Sequence, residues 1–540
     1  MRMWLLCWPV PVVSQRMIGR HLPLLLLLVA FFALEFVCPR FPVPDEIAFK
    51  SAGRNVSQGG AFAAPELEGL LNADPPLERV YFTYPPLYTW LFGQWTRATG
   101  FGWAACVGYD ALISAGLALI IYGLADAVTG ALLGPLSMRR RTVLAFLAAL
   151  LTLLFRNAGR PDELGMVLGF ANAWWLLSSA FSLPAVTFVS GTLAGLMLCT
   201  SPAVFLAFTP FLAALWLRRV DNMREIAPSL AAAVLGGGVT AALCLTPLFV
   251  VHPQFYQQFF QIVQFAIDRA WHNTIFFEAA VAAAWHQYRQ SAFILFATLP
   301  VLCLEIMLMR TGRVRETLAL FAAPMAGFAL TFLLMEYNYW WFLQPWFLVV
   351  AMVVAADLWW SKRSRLLASV AVGWLAIWLA VASAWPAKNY LVRITLAPEQ
   401  RLMPNARKLR ELIPTGAQVV TLSGWWALGN DRSVYDPIHS EVQDLARIEY
   451  FVTDSNGTGE PGVWAHPNPH YNAMVQESFE VISDNLPRTP LRIFGLRITN
   501  SAYGFGTIVL RRVQARAMKT GNSRLSSGES NQPFTQAACE

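Results

Sequence analysis

The sequence predicts a polytopic α-helical membrane protein of about 11 transmembrane helices, with interfacial helices in its external loops and a small C-terminal external α/β domain. Three observations carry that prediction. The chain of 540 residues is 56% hydrophobic and only 14% charged, with a mean hydropathy of +0.45, whereas a soluble protein carries about 25% charged residues. Its apolar residues come in runs of membrane-crossing length, separated by short basic loops. From residue 388 onward those runs stop and helix-then-strand patterns begin.

The first element is the run "LPLLLLLVAFFALEFV", preceded by Arg16, Arg20 and His21. No small-residue cleavage site follows it, so it reads as an uncleaved span over 20–38 with the N-terminus in the cytoplasm. Further spans are expected at 103–127, 142–156, 163–181, 183–199, 201–217, 227–250, 291–309, 316–335, 339–359 and 366–386. Cytoplasmic loops carry an excess of Lys and Arg. Alternating spans put every basic cluster inside: Arg139–Arg141, then Arg218, Arg219 and Arg224, then Arg310, Arg313 and Arg315, then Lys362, Arg363 and Arg365. The periplasmic or extracellular face then receives the first external loop 39–102, the loop 156–163, the segment 252–290, the turn near Glu336 and the chain beyond 387.

In the first loop, "YFTYPPLYTWLFGQWTRATG" (81–100) turns at a Pro-Pro pair and then places Leu87, Trp90, Leu91 and Phe92 near one helical face, as a helix lying in the interface would. The segment 252–290 mixes Phe and Trp with Gln and His, too polar to span and too aromatic to float free, so surface-lying helices are expected there too. Beyond the spans, "PEQRLMPNARKLRELIPTGAQVVTL" reads as amphipathic helix, turn and buried strand. "DPIHSEVQDLARIEYFVTD" repeats helix then strand, and "SFEVIS" and "YGFGTIVLRR" add strands. The division is a transmembrane unit over 1–387, an external α/β domain over 388–513 and a polar, disordered tail over 514–540.

Composition also narrows the function. The net charge is +7 at pH 7, but the basic residues lie between apolar runs, which argues against a nucleic-acid binder. The seven cysteines show no CxxC spacing and lie mostly within or at the ends of apolar runs, so neither a disulfide framework nor a zinc site is indicated. No Walker loop, GxGxxG, HExxH or GxSxG is present.

Two acidic elements stand at the external mouths of spans: "FPVPDEIAFKSAG" (41–53), with Asp45 and Glu46, and "NAGRPDELGM" (157–166), with Asp162 and Glu163. Locally Asp45 and Glu46 read as a solvated pair at the helix end or as an N-cap for a helix starting near Ile47, and Asp162 reads as the cap of a helix starting at Glu163. The functional reading is a general base just above the membrane, where burial and neighbouring charge tune its pKa. Arg156 and Arg160 sit beside the second element on the external side, against the positive-inside tendency; they form either a structural ion pair or an anion site. Glu336, ending a span in "EYNYWWFLQPW", and His272 are further candidates on the same face. Two or three external carboxylates could also hold a divalent ion.

Taken in order, the first span with its "PDE", the "YPPLYTWL" element and the next external Arg…Asp pair resemble the bacterial GT-C glycosyltransferases, in particular those related to protein mannosyltransferases and aminoarabinose transferases. The similarity extends over roughly 20–390, and a small external C-terminal domain is also typical. The resemblance implies inverting transfer of a sugar from a polyprenyl-phosphate donor to an acceptor hydroxyl on a glycan, lipid or protein, at the outer face; the absence of organelle signals and the short external loops favour a bacterial inner membrane. It maps the catalytic base onto Asp45 and the second acid onto Asp162. Arg160, Lys50, Arg54 and Tyr84 are then the candidates to hold the donor phosphate. One departure stands out: in "GLMLCTSPAVFLAFTP" (195–210), Ser201 occupies the place of a lysine that the family often carries. Two other classes remain in view. A transporter or flippase would need inverted repeats and charged or broken helices near the midplane; a non-catalytic envelope assembly factor would fit a degenerate transferase.

Overall fold

The computed structural model describes residues 15–40, 46–69, 76–81, 84–133, 138–156, 158–251, 322–335, 342–360, 390–421, 424–436, 445–453, 478–485, 492–493, 496–497 and 507–513, with isolated positions in 253–268 and 369–380. Asp45, His272 and Glu336 lie outside them, as do the expected span 291–309, most of 252–290 and the tail.

The helical part begins with α1 (Gln15–Val37), α2 (Glu46–Ser57), α3 (Leu87–Thr99) and α4 (Trp103–Leu133). It continues through α5 (Met138–Leu154), α6 (Pro161–Ser178), α7 (Leu183–Leu198), α8 (Pro202–Arg219) and α9 (Ile226–Val251), then α10 (Ala323–Met335) and α11 (Gln344–Trp360). Trp103–Gly130 and Met223–Val250 are long and apolar enough to cross a membrane, among the described residues. The other expected spans form shorter helices or fall partly outside the described residues, so a count of about 11 stays an expectation. The stretch 183–217 divides at Thr200: Pro202 starts α8 and the Ser201 hydroxyl caps it by accepting from Val204 N at 3.4 Å.

Successive helices run up and down. Arg141, at the start of α5, donates to both carboxylate oxygens of Asp126 in the last third of α4, at 3.0 and 2.9 Å. Arg219, ending α8, donates to the carbonyls of Leu176 and Ser179 at the end of α6, at 2.9 and 2.6 Å, the favoured place for a cation on a helix. The basic clusters described thus gather at one end of the bundle. At the other end lie the finish of α1, the whole of α2 and α3, the starts of α4 and α6, and the α7–α8 turn.

The expected interfacial helix is present as α3, but its packed face differs from the expected one. Tyr88, Thr89, Phe92, Gly93 and Thr96 are buried, and Trp90 is 47% exposed. The reason is α2. A side chain on Gly53 would put its Cβ 2.3 Å from the Thr89 carbonyl oxygen, and one on Gly93 would lie 2.8 Å from the Gly53 oxygen. The two helices therefore touch backbone to backbone. Gly53→Leu is expected to cost about 1–3 kcal/mol, the range for overpacking, read as a lower unfolding midpoint in detergent; an unchanged midpoint would contradict this packing.

Toward the C-terminus, α12 (Leu402–Leu412) leads through Gly416, at φ 84°, into strand β1 (Gln418–Thr421). The short α13 (Trp425–Leu428) and strands β2 (Ser433–Tyr435), β3 (Tyr450–Thr453), β4 (Phe479–Asp484), β5 (Arg492–Ile493), β6 (Leu496–Arg497) and β7 (Ile508–Arg512) follow. The main sheet has the order β2-β1-β3-β7-β4. β1 pairs parallel with β2 and β3, while β7 pairs antiparallel with β3 and β4. A single buried cluster runs from Ile47, Phe49, Phe92 and Val107 into Val419, Trp425, Val452 and Val509. Trp425 meets Phe101 edge-on at 4.9 Å and Asn430 donates to the Phe101 carbonyl at 3.0 Å. The sheet unit is thus seated on the same bundle end that carries α2 and α3.

Candidate functional site

At that end the chain buries an ionic network that joins four segments. Asp110, seven residues into α4 and 1% exposed, accepts from Lys50 Nζ through both carboxylate oxygens, at 2.9 and 2.8 Å. It also accepts from Arg40 at 2.6 Å and from the Tyr88 hydroxyl at 3.3 Å. Glu46, one turn before Lys50 on α2, pairs with Arg40 and lies 3.5 Å from Lys50. Burying unpaired charge is prohibitive, so two cations interleaved with two carboxylates is how this end of the bundle holds ions at all. Burial works to lower the Lys50 pKa, but the Asp110 and Glu46 carboxylates overcome it and hold the ammonium above its ordinary value. Burial pushes the Glu46 carboxyl up, against the pull of Arg40 and Lys50. The Trp426 ring of α13 lies 5.4 Å from the Arg40 guanidinium carbon, so the sheet unit lids this network.

Next to it stands the second acidic element. α6 starts at Pro161 with Arg160 as its N-cap residue, which corrects the expectation that Asp162 caps the helix: Asp162 and Glu163 are both in its first turn. There their charge is complemented by the helix dipole. Asp162 accepts from Arg160 Nε at 3.2 Å and from the Ser201 hydroxyl at 2.6 Å. Ser201, standing where the resembling family often has lysine, therefore still addresses this acid, as a neutral donor. Glu163 accepts from the Ser114 hydroxyl at 2.8 Å. Gly159, at φ 94°, joins the two groups: a Cβ there would lie 2.4 Å from Glu46 Oε1 and 2.8 Å from an Arg40 nitrogen.

Arg156 and Arg160 both pair with carboxylates. Arg156 is a structural ion pair: it meets Glu35 of α1 at 2.5 Å, and Arg393 meets the same carboxylate at 3.1 Å while donating to the Cys38 carbonyl at 2.6 Å. Arg160 stays part-exposed, with its guanidinium carbon 5.4 Å from the Phe49 ring centre. Phe49 in turn meets Tyr84 edge-on at 4.6 Å, so Arg160, Phe49 and Tyr84 line up along one wall. Arg54 sits elsewhere. It pairs at 2.5 Å with the buried Glu66, which also accepts from Ser51 and, at 3.2 Å, from Trp425 Nε1. The "YPPLY" element is the bracket between these parts: Leu87 N donates to the Cys199 carbonyl at 3.0 Å and Thr89 to the Phe49 carbonyl at 2.7 Å.

Glu46, Lys50, Tyr84, Arg160, Asp162 and Glu163 are thus brought together, Arg54 is turned toward the sheet unit, and Asp45 adjoins Glu46 in the chain. Asp110, Glu35, Arg40, Ser114 and Glu66 were not singled out from the sequence. For Asp110 and Glu35 a signal was present, since an acid inside an apolar run marks function or a buried partner. Among the described residues, no group of three or more His, Cys, Asp or Glu side chains is arranged to hold a metal ion.

No family model matches this sequence, and no curated protein matches it. Among solved structures, the chain is similar to the arabinofuranosyltransferase AftD from Mycobacteria at 14% identity and a TM-score of 0.42, over 91% of this chain and 40% of AftD; it spans less than half the length of that enzyme. It is also similar to ArnT from Cupriavidus metallidurans, solved bound to undecaprenyl phosphate, at 14% identity and a TM-score of 0.50, over 93% of this chain and 100% of ArnT. At that identity the likeness is one of fold alone: the chain shares the fold of ArnT.

Proposed function

We propose that the chain is an integral membrane glycosyltransferase that moves a sugar, with inversion, from a polyprenyl-phosphate donor to an acceptor hydroxyl at the periplasmic or extracellular face. The observation that carries the proposal is the convergence, at one end of the bundle, of the segment that follows Asp45 with the Arg160–Asp162–Ser201 group. A lipid-linked donor presents its sugar at that depth, with its isoprenoid tail among the helices. The fold is shared with a protein that holds undecaprenyl phosphate.

In this reading the acceptor oxygen attacks the anomeric carbon while the bond from that carbon to the phosphate oxygen breaks. Asp45 takes the hydroxyl proton, and the polyprenyl phosphate departs with the bonding pair. Asp162, oriented by Ser201 and Arg160, forms the neighbouring wall. Lys50 and Arg54 were candidate phosphate ligands, but both are bound to internal carboxylates. Arg160 also pairs with a carboxylate, that of Asp162, but its side chain is more exposed than those of Lys50 and Arg54; we assign the phosphate to it, with Tyr84 beside it, and give Lys50 and Arg54 the role of fixing α2.

The test is retention of undecaprenyl phosphate by the purified full-length protein in nanodiscs. Wild type should hold it, and Arg160→Gln should weaken binding about tenfold or more, the worth of a charge-assisted hydrogen bond. No binding by wild type would overturn the donor class; equal binding by the variant would overturn the role of Arg160.

A further inference from the structure

The helix pair α7–α9 carries two thiols that the site does not use. α7 and α9 run parallel in contact along their length. A Cβ on Gly191 would lie 2.1 Å from the Ala233 oxygen, and one on Gly195 would lie 2.7 Å from the Gly237 oxygen and 3.2 Å from the Thr240 Cβ. A step of four residues on α7 is thus matched by a step of four on α9, and glycines stand at the contact on both helices, Gly191 and Gly195 on α7 and Gly236 and Gly237 on α9. One turn beyond Gly195 and Thr240 come Cys199 and Cys244. The Cys199 and Cys244 side chains lie near enough to interact with each other. Cys199 is 1% exposed, and Cys244 is half-buried.

The position matters to the site. Cys199 ends α7, its carbonyl receives the Leu87 N–H that anchors "YPPLY", and two residues on, Ser201 donates to Asp162. Cys244 lies seven residues before the end of α9 at Val251, about 10 Å along the axis, at the same end of the bundle. If that end faces an oxidising compartment, free thiols in contact do not persist.

We propose that Cys199 and Cys244 form a disulfide that locks the α7–α8 turn to α9 and so holds Ser201 and the "YPPLY" anchor in place. The inference rests on the sidedness in the functional reading above. The Cys244 thiolate attacks the disulfide of an envelope thiol–disulfide oxidoreductase, expelling one of its sulfurs as thiolate. The Cys199 thiolate then attacks the Cys244 sulfur, the Cys199–Cys244 bond forms, and the oxidoreductase leaves as its dithiol, carrying the two electrons and taking up the two thiol protons. Close backbone approach is what makes this bond geometrically open, since Cα atoms more than about 7 Å apart cannot be bridged without movement.

The test uses the full chain. Membranes are quenched with N-ethylmaleimide, and the protein is digested without reduction and mapped by mass spectrometry. A linked peptide holding Cys199 and Cys244, released by dithiothreitol and absent from Cys244→Ser, is the expected result. In parallel, Ser433→Cys, at an exposed position of β2, is probed in intact cells with a membrane-impermeant maleimide. Labelled Ser433→Cys together with maleimide on both native thiols would overturn the disulfide while leaving the sidedness standing. Ser433→Cys labelled only after permeabilisation would overturn the sidedness, and the disulfide with it. A third arm treats reduced membranes with diamide: failure to link the two cysteines would overturn the register argument itself.

Discussion

Asp45→Asn is expected to lower sugar transfer by about 10²–10⁴-fold, the usual contribution of a general base, while leaving undecaprenyl phosphate retention and the unfolding midpoint unchanged. The substitution keeps the size of the side chain and removes its capacity to take a proton. The loss should fall on kcat, because the proton moves only in the transition state. The neighbouring groups sharpen the prediction. Glu46 is committed to Arg40 and Lys50, and Asp162 to Ser201 and Arg160, so neither is placed to take over the role without breaking a buried contact. Near-wild-type turnover in Asp45→Asn would remove Asp45 as the base and direct attention to Asp162.

Asp110→Asn has the largest expected effect on the fold. It leaves Lys50 and Arg40 with Glu46 as the remaining carboxylate of the network, so one positive charge is buried without compensation. Removing one partner of a buried ion pair costs about 3–5 kcal/mol, read as a marked fall in the unfolding midpoint in detergent. The pH dependence gives the cause away. In wild type the Lys50 pKa is held above its ordinary value by Asp110 and Glu46 against the effect of burial. Without Asp110, burial prevails and the folded-state pKa falls below the unfolded one. The unfolded chain then binds more protons over that interval, so stability rises with pH. The deficit of Asp110→Asn should therefore shrink as pH is raised from 7 toward the ordinary lysine pKa, about 10.4. A deficit independent of pH would place the cost in packing rather than in the orphaned charge.

Much of this arrangement was legible in the sequence, and the illegible part has a physical reason. The helices α4 to α9 announce themselves by apolar run length, and the α12–β1 and β3 elements by period and turn residues. Asp110 and Glu35 were hidden because hydropathy averages over a window, so a single acid within "GYDAL" or "ALEFV" barely lowers it. Their partners, Lys50, Arg40, Arg156 and Arg393, lie far along the chain, and only packing brings them together. The buried face of α3 was misjudged for a related reason. Periodicity identified an amphipathic helix, but the choice of face was made by Gly53 and Gly93, which admit α2 at backbone distance. Ser201 looked like a loss relative to the family pattern, yet its hydroxyl still reaches Asp162. Cys199 and Cys244, forty-five positions apart in the numbering, carry no spacing signal, because their proximity is a matter of helix register.

The central claim is that this bundle end transfers sugar from a lipid phosphate. The most direct measurement incubates purified wild-type protein in proteoliposomes with radiolabelled polyprenyl-phosphate sugars and an envelope extract as acceptor. Labelled sugar should leave the lipid for the acceptor, releasing polyprenyl phosphate, and Asp45→Asn should slow that transfer by about 10²–10⁴-fold. A properly folded wild-type protein that carries the intact lipid-linked sugar across the bilayer without breaking its glycosidic bond would contradict the account and make the chain a transporter.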